Sequence, residues 1–295
     1  MSRIFFALPG NEVLTASLAV YCKAELGAAV FHHFPDGETL VKIDSEVNDK
    51  LVILVCTLDR PDGKIIPLYF LVQTAKELGA RHICLVAPYL AYMRQDKRFT
   101  SGEGITSIYF SKLVSCFIDS LITVDPHLHR VHDLSEIYLV PATALHTTSL
   151  ISAYINANIE KPVLIGPDEE SEQWVSVVAK GANVPYLILQ KIRKGDTDVE
   201  VSIPLVENYK GHTPVLVDDI ISTGRTMMST ITQLKKAGLT RPVCIGVHGL
   251  FTGNPHSDLL QAGITDIVTC NTIIHQTNKI SIDKTLADGI LQAIY

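Results

Sequence analysis

Residues 215–227 read VLVDDIISTGRTM: an apolar run ends in two adjacent acids, Asp218 and Asp219, followed by Ser222, Thr223, Gly224, Arg225 and Thr226. Carboxylates at the end of a buried strand cost free energy to desolvate unless they meet a partner. A turn that opens a helix offers backbone amides to an anion, and the helix dipole favours negative charge there. The three hydroxyls can add hydrogen bonds to the same anion. Such a set suits a sugar phosphate, with the acids on sugar hydroxyls and the loop on the phosphate. An Asx turn with a helix cap is the purely structural alternative.

Other segments carry chemistry of their own. FPDGET at 34–39 is a Pro-Asp-Gly turn with two acids, Asp36 and Glu38, beside Phe34; taken alone, it reads as an ordinary turn. In APYLAYMRQDKRFTSGEGIT (87–106), Arg94, Lys97 and Arg98 cluster around Gln95 and Asp96 in an otherwise acidic chain. A charge run of that kind reads either as a solvated face or as an anion site. TVDPHLHRVHD (123–133) places His127, His129 and His132 after an apolar run, so a transition-metal pair and plain surface histidines both remain open. GPDEES (166–171) puts Asp168 at another strand end, before acids that suit the start of a helix. LQKIRKGDTDVEV (189–201) sends Lys191 and Arg193 toward a polar Gly-Asp-Thr-Asp loop, which reads alone as a hairpin with solvated cations.

These residues need elements to hold them. RIFFAL, AAVFHHF, KLVILVC, HICLVAP and SLITVDP are expected strands of the first half, and KPVLIG, VPYLILQK, TPVLVDD, RPVCIGV and DIVTC of the second. Between them, EVLTASLAVYCKAELG, IPLYFLVQTAKELG, ITSIYFSKLVSCFI, ESEQWVSVVAKG and RTMMSTITQLKKAG show helical apolar spacing or stop at a glycine. Strand–helix alternation on this scale predicts α/β domains with mostly parallel sheets flanked by helices. In open sheets of that kind, ligands bind beyond the carboxyl ends of the strands, where the segments above fall. VQTAKELGARHICLVAP aligns with ITQLKKAGLTRPVCIGV, Gly79 opposite Gly238, which points to a duplicated domain. The expected division is 1–145 and 146–283, with a helix over about 284–295 able to pack back on the first domain.

VLVDDIISTGRTM resembles the phosphoribosyl-pyrophosphate motif shared by type I phosphoribosyltransferases and ribose-phosphate pyrophosphokinases. FPDGET, PYLAYMRQDKR, VDPH, GPD and the Lys191–Arg193 pair occur in the pyrophosphokinase order, and the chain is similar to the shorter archaeal-type branch. Arg225 departs from the glycine common there, and Ser222 from an aspartate that many members carry. The resemblance implies two tandem phosphoribosyltransferase-like domains. It also implies transfer of the pyrophosphoryl group of MgATP to the anomeric hydroxyl of ribose 5-phosphate, with AMP as the other product. By it, Phe34 stacks on the adenine bound to a neighbouring subunit, Asp36 and Glu38 take the polar edge of the base, and Arg94 and Gln95 contact ATP. His127 and Asp168 help place Mg2+, Lys191 and Arg193 are catalytic, and residues 218–226 bind ribose 5-phosphate. A homo-oligomer, at least a dimer, follows from a shared ATP site. A non-catalytic regulatory paralogue and a phosphoribosyltransferase are the alternatives.

Composition narrows the classes. The chain is 47% hydrophobic with a formal net charge of −6, which supports real cores and argues against a general nucleic-acid binder. Six cysteines stand singly, mostly in apolar runs, as expected of small core residues in a reducing compartment. No apolar run approaches the roughly 18 residues that span a bilayer, and the opening MSRIFFALPGNE is too short for a signal peptide. The expected location is the cytoplasm.

Overall fold

The computed structural model describes residues 2–167, 171–193, 199–202 and 206–293. The chain divides into two units, Met1–Leu145 with Asp283–Tyr295, and His146–Ile282. In the first, β1 (Arg3–Ala7), α1 (Glu12–Tyr21) and the short β2 (Glu25–Leu26) precede a hairpin of β3 (Ala29–His33) and β4 (Thr39–Ile43). Then come β5 (Leu51–Val55), α2 (Asp62–Glu77), β6 (His82–Ala87), α3 (Thr106–Ser115), β7 (Ser120–Val124) and β8 (Ala142–Leu145). The sheet order is β2-β1-β5-β6-β7-β8, with every neighbour parallel. Central strands such as Leu51–Val55 are buried at every position, as a sheet covered on both faces requires.

The second unit runs α4 (Thr148–Asn158), β9 (Pro162–Gly166), α5 (Glu172–Ala182), β10 (Tyr186–Ile188), then the hairpin β11 (Gln190–Arg193) and β12 (Val199–Ser202). It continues with β13 (Thr213–Ile221), α6 (Arg225–Lys236), β14 (Val243–Gly249), α7 (Pro255–Gln261), β15 (Asp266–Cys270) and β16 (Asn278–Ile280). Its parallel sheet has the order β10-β9-β13-β14-β15-β16. The two sheets therefore share one topology, and each unit inserts an antiparallel hairpin between its second and third strands. The helix stops match as well. Gly79 and Gly238 both adopt positive φ, +89° and +82°, and the following amides of Ala80 and Leu239 reach back to Ala75 O and Leu234 O, each at 2.9 Å. After β16 the chain enters α8 (Asp283–Ala293), which belongs to the first unit and packs on α1 as α4 packs on α5 in the second.

Three details differ from the sequence reading. AAVFHHF is not a main-sheet strand: β3 pairs antiparallel with β4, and both alternate between exposed and half-buried positions. That half-wet alternation is what a hairpin lying on a domain surface shows. The helix read over EVLTASLAVYCKAELG stops at Tyr21, Lys23 turns through a left-handed φ of 49°, and Glu25–Leu26 joins the sheet edge. Cys116 is exposed, while the other five cysteines are buried; burial pushes the thiols of Cys56 and Cys84 up to about 12. Among the described residues, no helix is long and apolar enough to cross a membrane.

Candidate active site

The stretch VLVDDIISTGRTM lies at the carboxyl end of β13, the third strand of the second sheet. Pro214–Val217 are buried, and the chain becomes half-buried at Asp218 and Asp219, where the Asp219 amide donates to Asp218 Oδ1 at 3.0 Å. The apolar run thus ends where the two acids reach the rim of the sheet. Ser222 and Thr223 follow, and Gly224, at φ +71°, is the residue before α6. A glycine has no side chain with which to cap the helix, so the first-turn amides keep no local side-chain partner. α6 buries Met227, Thr230, Ile231 and Leu234 on one face, which fixes the start of the helix against the sheet. Arg225 and Thr226 on the opening turn are exposed.

A second segment supports this loop from behind. The amides of Leu250 and Phe251 donate to Ile221 O at 2.9 and 3.2 Å, and Thr252 N donates to Ser222 O at 3.2 Å. Phe251 adopts φ +43°, an uncommon conformation for a bulky side chain, and its ring lies 4.2 Å from that of His275. His275 in turn accepts at Nδ1 from the Thr277 amide at 3.3 Å. Pro255 and Leu259 of α7 close on Gly224, where an added Cβ would fall 3.1 Å from Pro255 Cβ. Sequence reasoning missed this support, because HGLFTG carries no charge or spacing that announces it.

The same junction in the first unit lies between β5 and α2, and it is built differently. Lys64 Nζ donates to Thr57 O at 2.8 Å and pairs with Asp59, while Asp62 accepts from Tyr92 Oη. An ammonium of the chain itself lies at this junction, and Asp62 opens α2 where Gly224 precedes α6. The two junctions therefore differ although the sheets share one topology.

The first unit holds the other sequence-identified residues. Phe34, Asp36 and Glu38 lie at the tip of the β3–β4 hairpin, and all three are exposed. Gly37 N donates to Phe34 O at 2.9 Å, and Phe34 N to Glu38 O at 2.8 Å, with Gly37 at φ +93°. This is a tight turn closed by a left-handed glycine. Asp36 Oδ1 accepts from Glu38 N at 3.2 Å, and the Phe34 ring meets His32 edge-on at 4.6 Å. Glu38 borders a cleft of about 690 Å³ together with His33, Thr39, Asp62, Ile66 and Phe70.

Arg94 and Gln95 follow β6 and are exposed. Gln95 Oε1 accepts from Thr106 Oγ1 at 2.5 Å and Gln95 O from Ser107 N at 3.3 Å, so this side chain also secures the start of α3. His127 follows the neighbouring strand β7; it is half-buried, and its ring meets that of His129 at 4.1 Å. Lys191 and Arg193 fall on β11, paired with Val201 and Val199 of β12. Asp168 lies outside the described residues. Among the described residues, no group of three or more His, Cys, Asp or Glu is placed to hold a metal ion.

Two tandem parallel sheets, one ending in paired acids and a glycine-led helix start, define a phosphoribosyltransferase-like α/β protein. The family model described as "Phosphoribosyl transferase domain" matches residues 133–285, and that described as "N-terminal domain of ribose phosphate pyrophosphokinase" matches residues 3–117. The ribose-phosphate pyrophosphokinase of Methanopyrus kandleri is 32% identical over 289 residues, covering 97% of this chain and 98% of that protein. That of Saccharolobus solfataricus is 32% identical over 254 residues, 85% of this chain and 86% of the other. The crystal structure of phosphoribosylpyrophosphate synthetase from Mycobacterium smegmatis superposes with a TM-score of 0.86 at 22% identity, covering 100% of this chain and 99% of that one, and so shares the fold. The chain belongs to the ribose-phosphate pyrophosphokinase family, whose members transfer diphosphate groups.

Proposed function

We propose that the protein transfers the β,γ-diphosphoryl group of MgATP to the anomeric hydroxyl of ribose 5-phosphate, giving phosphoribosyl pyrophosphate and AMP. The observation that carries this reading is the β13–α6 junction, where Asp218 and Asp219 stand at the sheet rim next to a helix start that has no side-chain cap. The acids hold ribose hydroxyls. The loop amides, with Ser222, Thr223 and Thr226, hold the 5-phosphate, and Arg225 adds a cation on the exposed side. The anomeric oxygen attacks the β-phosphorus and loses its proton. The bond from that phosphorus to the α-phosphate oxygen breaks, and AMP leaves.

ATP binds on the first unit. Arg94 and Gln95 contact the nucleotide, and Phe34, Asp36 and Glu38 complete the adenine site of a neighbouring subunit, which makes the protein a homo-oligomer. The exposed, rigidly turned hairpin tip supports that assignment, because such a tip is available to a second chain. Lys191 and Arg193 stabilise the charge that develops on the transferring group, the main protein contribution to such reactions.

A bound Mg2+ would be held mainly by the polyphosphate. It keeps waters and takes one or two protein ligands plus phosphate oxygens, so a sparse set of side chains suits it better than a closed cage. His127 and Asp168 are the residues that would hold it, and it would neutralise the polyphosphate charge. The protein works in the cytoplasm, where its substrates are. Incubation with MgATP and ribose 5-phosphate tests the reading: AMP is the expected nucleotide product, and ADP, or no turnover, contradicts it.

A further inference from the structure

Arg130 and Asp96 belong to different loops of the first unit. Asp96 lies in the loop after β6, two residues beyond Arg94, and Arg130 lies in the loop after β7, three beyond His127. One guanidinium nitrogen of Arg130 reaches both carboxylate oxygens of Asp96, at 3.0 and 3.1 Å. The Asp96 side chain is only 4% exposed, although its sequence neighbours Arg94, Gln95, Lys97 and Arg98 are exposed. A carboxylate so withdrawn from water needs a charged partner, and Arg130 supplies it.

Each loop is also held internally. In the first, Gln95 N donates to Tyr92 O, Arg98 Nε to Glu103 O, and the amides of Phe99 and Thr100 to Glu103 Oε2 at 2.8 and 3.0 Å. In the second, Glu136 Oε1 accepts from the amides of His132 and Asp133, and Asp133 Oδ1 from Ser135 N at 2.8 Å. These bonds shape each loop but do not set the distance between the two. The Asp96–Arg130 pair spans the two, tying a guanidinium that is itself 45% exposed to a carboxylate that is only 4% exposed.

We propose that Asp96 and Arg130 form a positioning pair for the nucleotide, holding the Arg94–Gln95 segment and the His127 segment at one fixed spacing. The pair touches neither substrate. It acts through Arg94 and His127, and so rests on their proposed contacts with MgATP. Groups that meet one triphosphate from two strand ends lose effect when their separation drifts by about an ångström. Asp96 also neutralises Arg130, which keeps that cation from drawing the polyphosphate out of line.

The test measures binding and turnover separately in the full-length protein. Arg130→Ala should weaken binding of MgATP, and of the non-transferable α,β-methylene analogue, about tenfold or more by calorimetry, as the loss of outer-shell partners typically does. The KM for ribose 5-phosphate should stay within about twofold, and Arg130→Lys should recover part of the nucleotide affinity. Asp96→Ala/Arg130→Ala together should bind no worse than Arg130→Ala alone, since the second change removes the stranded carboxylate. Unchanged nucleotide affinity in Arg130→Ala overturns the pair. So does an equal loss for both substrates with a lowered Tm, the mark of a merely structural role. If the wild type binds nucleotide without forming AMP, the proposed reaction fails while the pair is still judged by affinity. If the wild type binds no nucleotide, both fail.

Discussion

Gly224 sits against Pro255 so closely that a Cβ added to the glycine would lie 3.1 Å from the proline Cβ. The glycine also holds φ at +71°, where a side chain is strained whatever the space around it. Gly224→Ala therefore has to distort either the helix start or α7. The left-handed backbone alone costs about 1–2 kcal/mol. We expect a lowered Tm together with a KM for ribose 5-phosphate raised several-fold, because the strained atoms are those of the loop proposed to hold the 5-phosphate. Calorimetry and initial rates measure both, and an alanine variant with wild-type values would show that the loop tolerates movement there.

The paired acids of that loop were legible in the sequence, and the reason is physical. Asp218 through Thr226 fall within one strand end and one helix turn, so composition and order alone place that junction. The central strands were legible for a similar reason: Leu51–Val55 is apolar at each position because both faces are covered. What the sequence hid depends on distant partners. Arg130 draws its role from Asp96, 34 residues away, and Phe251 acts through backbone amides that any residue could supply. The β3–β4 hairpin was mistaken for main-sheet material because AAVFHHF is apolar enough for either environment, and only the pairing distinguishes them.

Lys191 and Arg193 lie on β11, on a hairpin inserted as β3–β4 is in the first unit. Lys191→Ala should leave the unfolding transition unchanged and lower kcat by about 10²–10³, the usual loss when one group that stabilises transition-state charge is removed. Substrate affinities should change little. Near-normal turnover in this variant would remove the hairpin from the mechanism.

His275 sets the sign of one pH effect. Burial, and then the neighbouring His256, lower its pKa below the ordinary 6.5. The unfolded chain therefore binds a proton at a pH where the folded chain still resists it, and stability rises with pH across that interval. The contribution is complete above the ordinary value and is lost as pH falls through the depressed one. Its ring lies on Phe251, whose amide braces the chain at Ile221 before α6. His275→Gln should flatten the acid limb of the Tm–pH curve below the ordinary histidine value. An acid limb as steep as that of the wild type would assign the effect to other groups.

The central claim is that two phosphoryl groups move together to the sugar. ATP carrying radiolabel at the β-phosphate, supplied with Mg2+ and ribose 5-phosphate, tests this in one measurement. The label is expected to leave the nucleotide, appear in the diphosphate of the sugar product, and match the AMP formed. Label retained in ADP, or in unreacted ATP under conditions where both substrates bind, would contradict it.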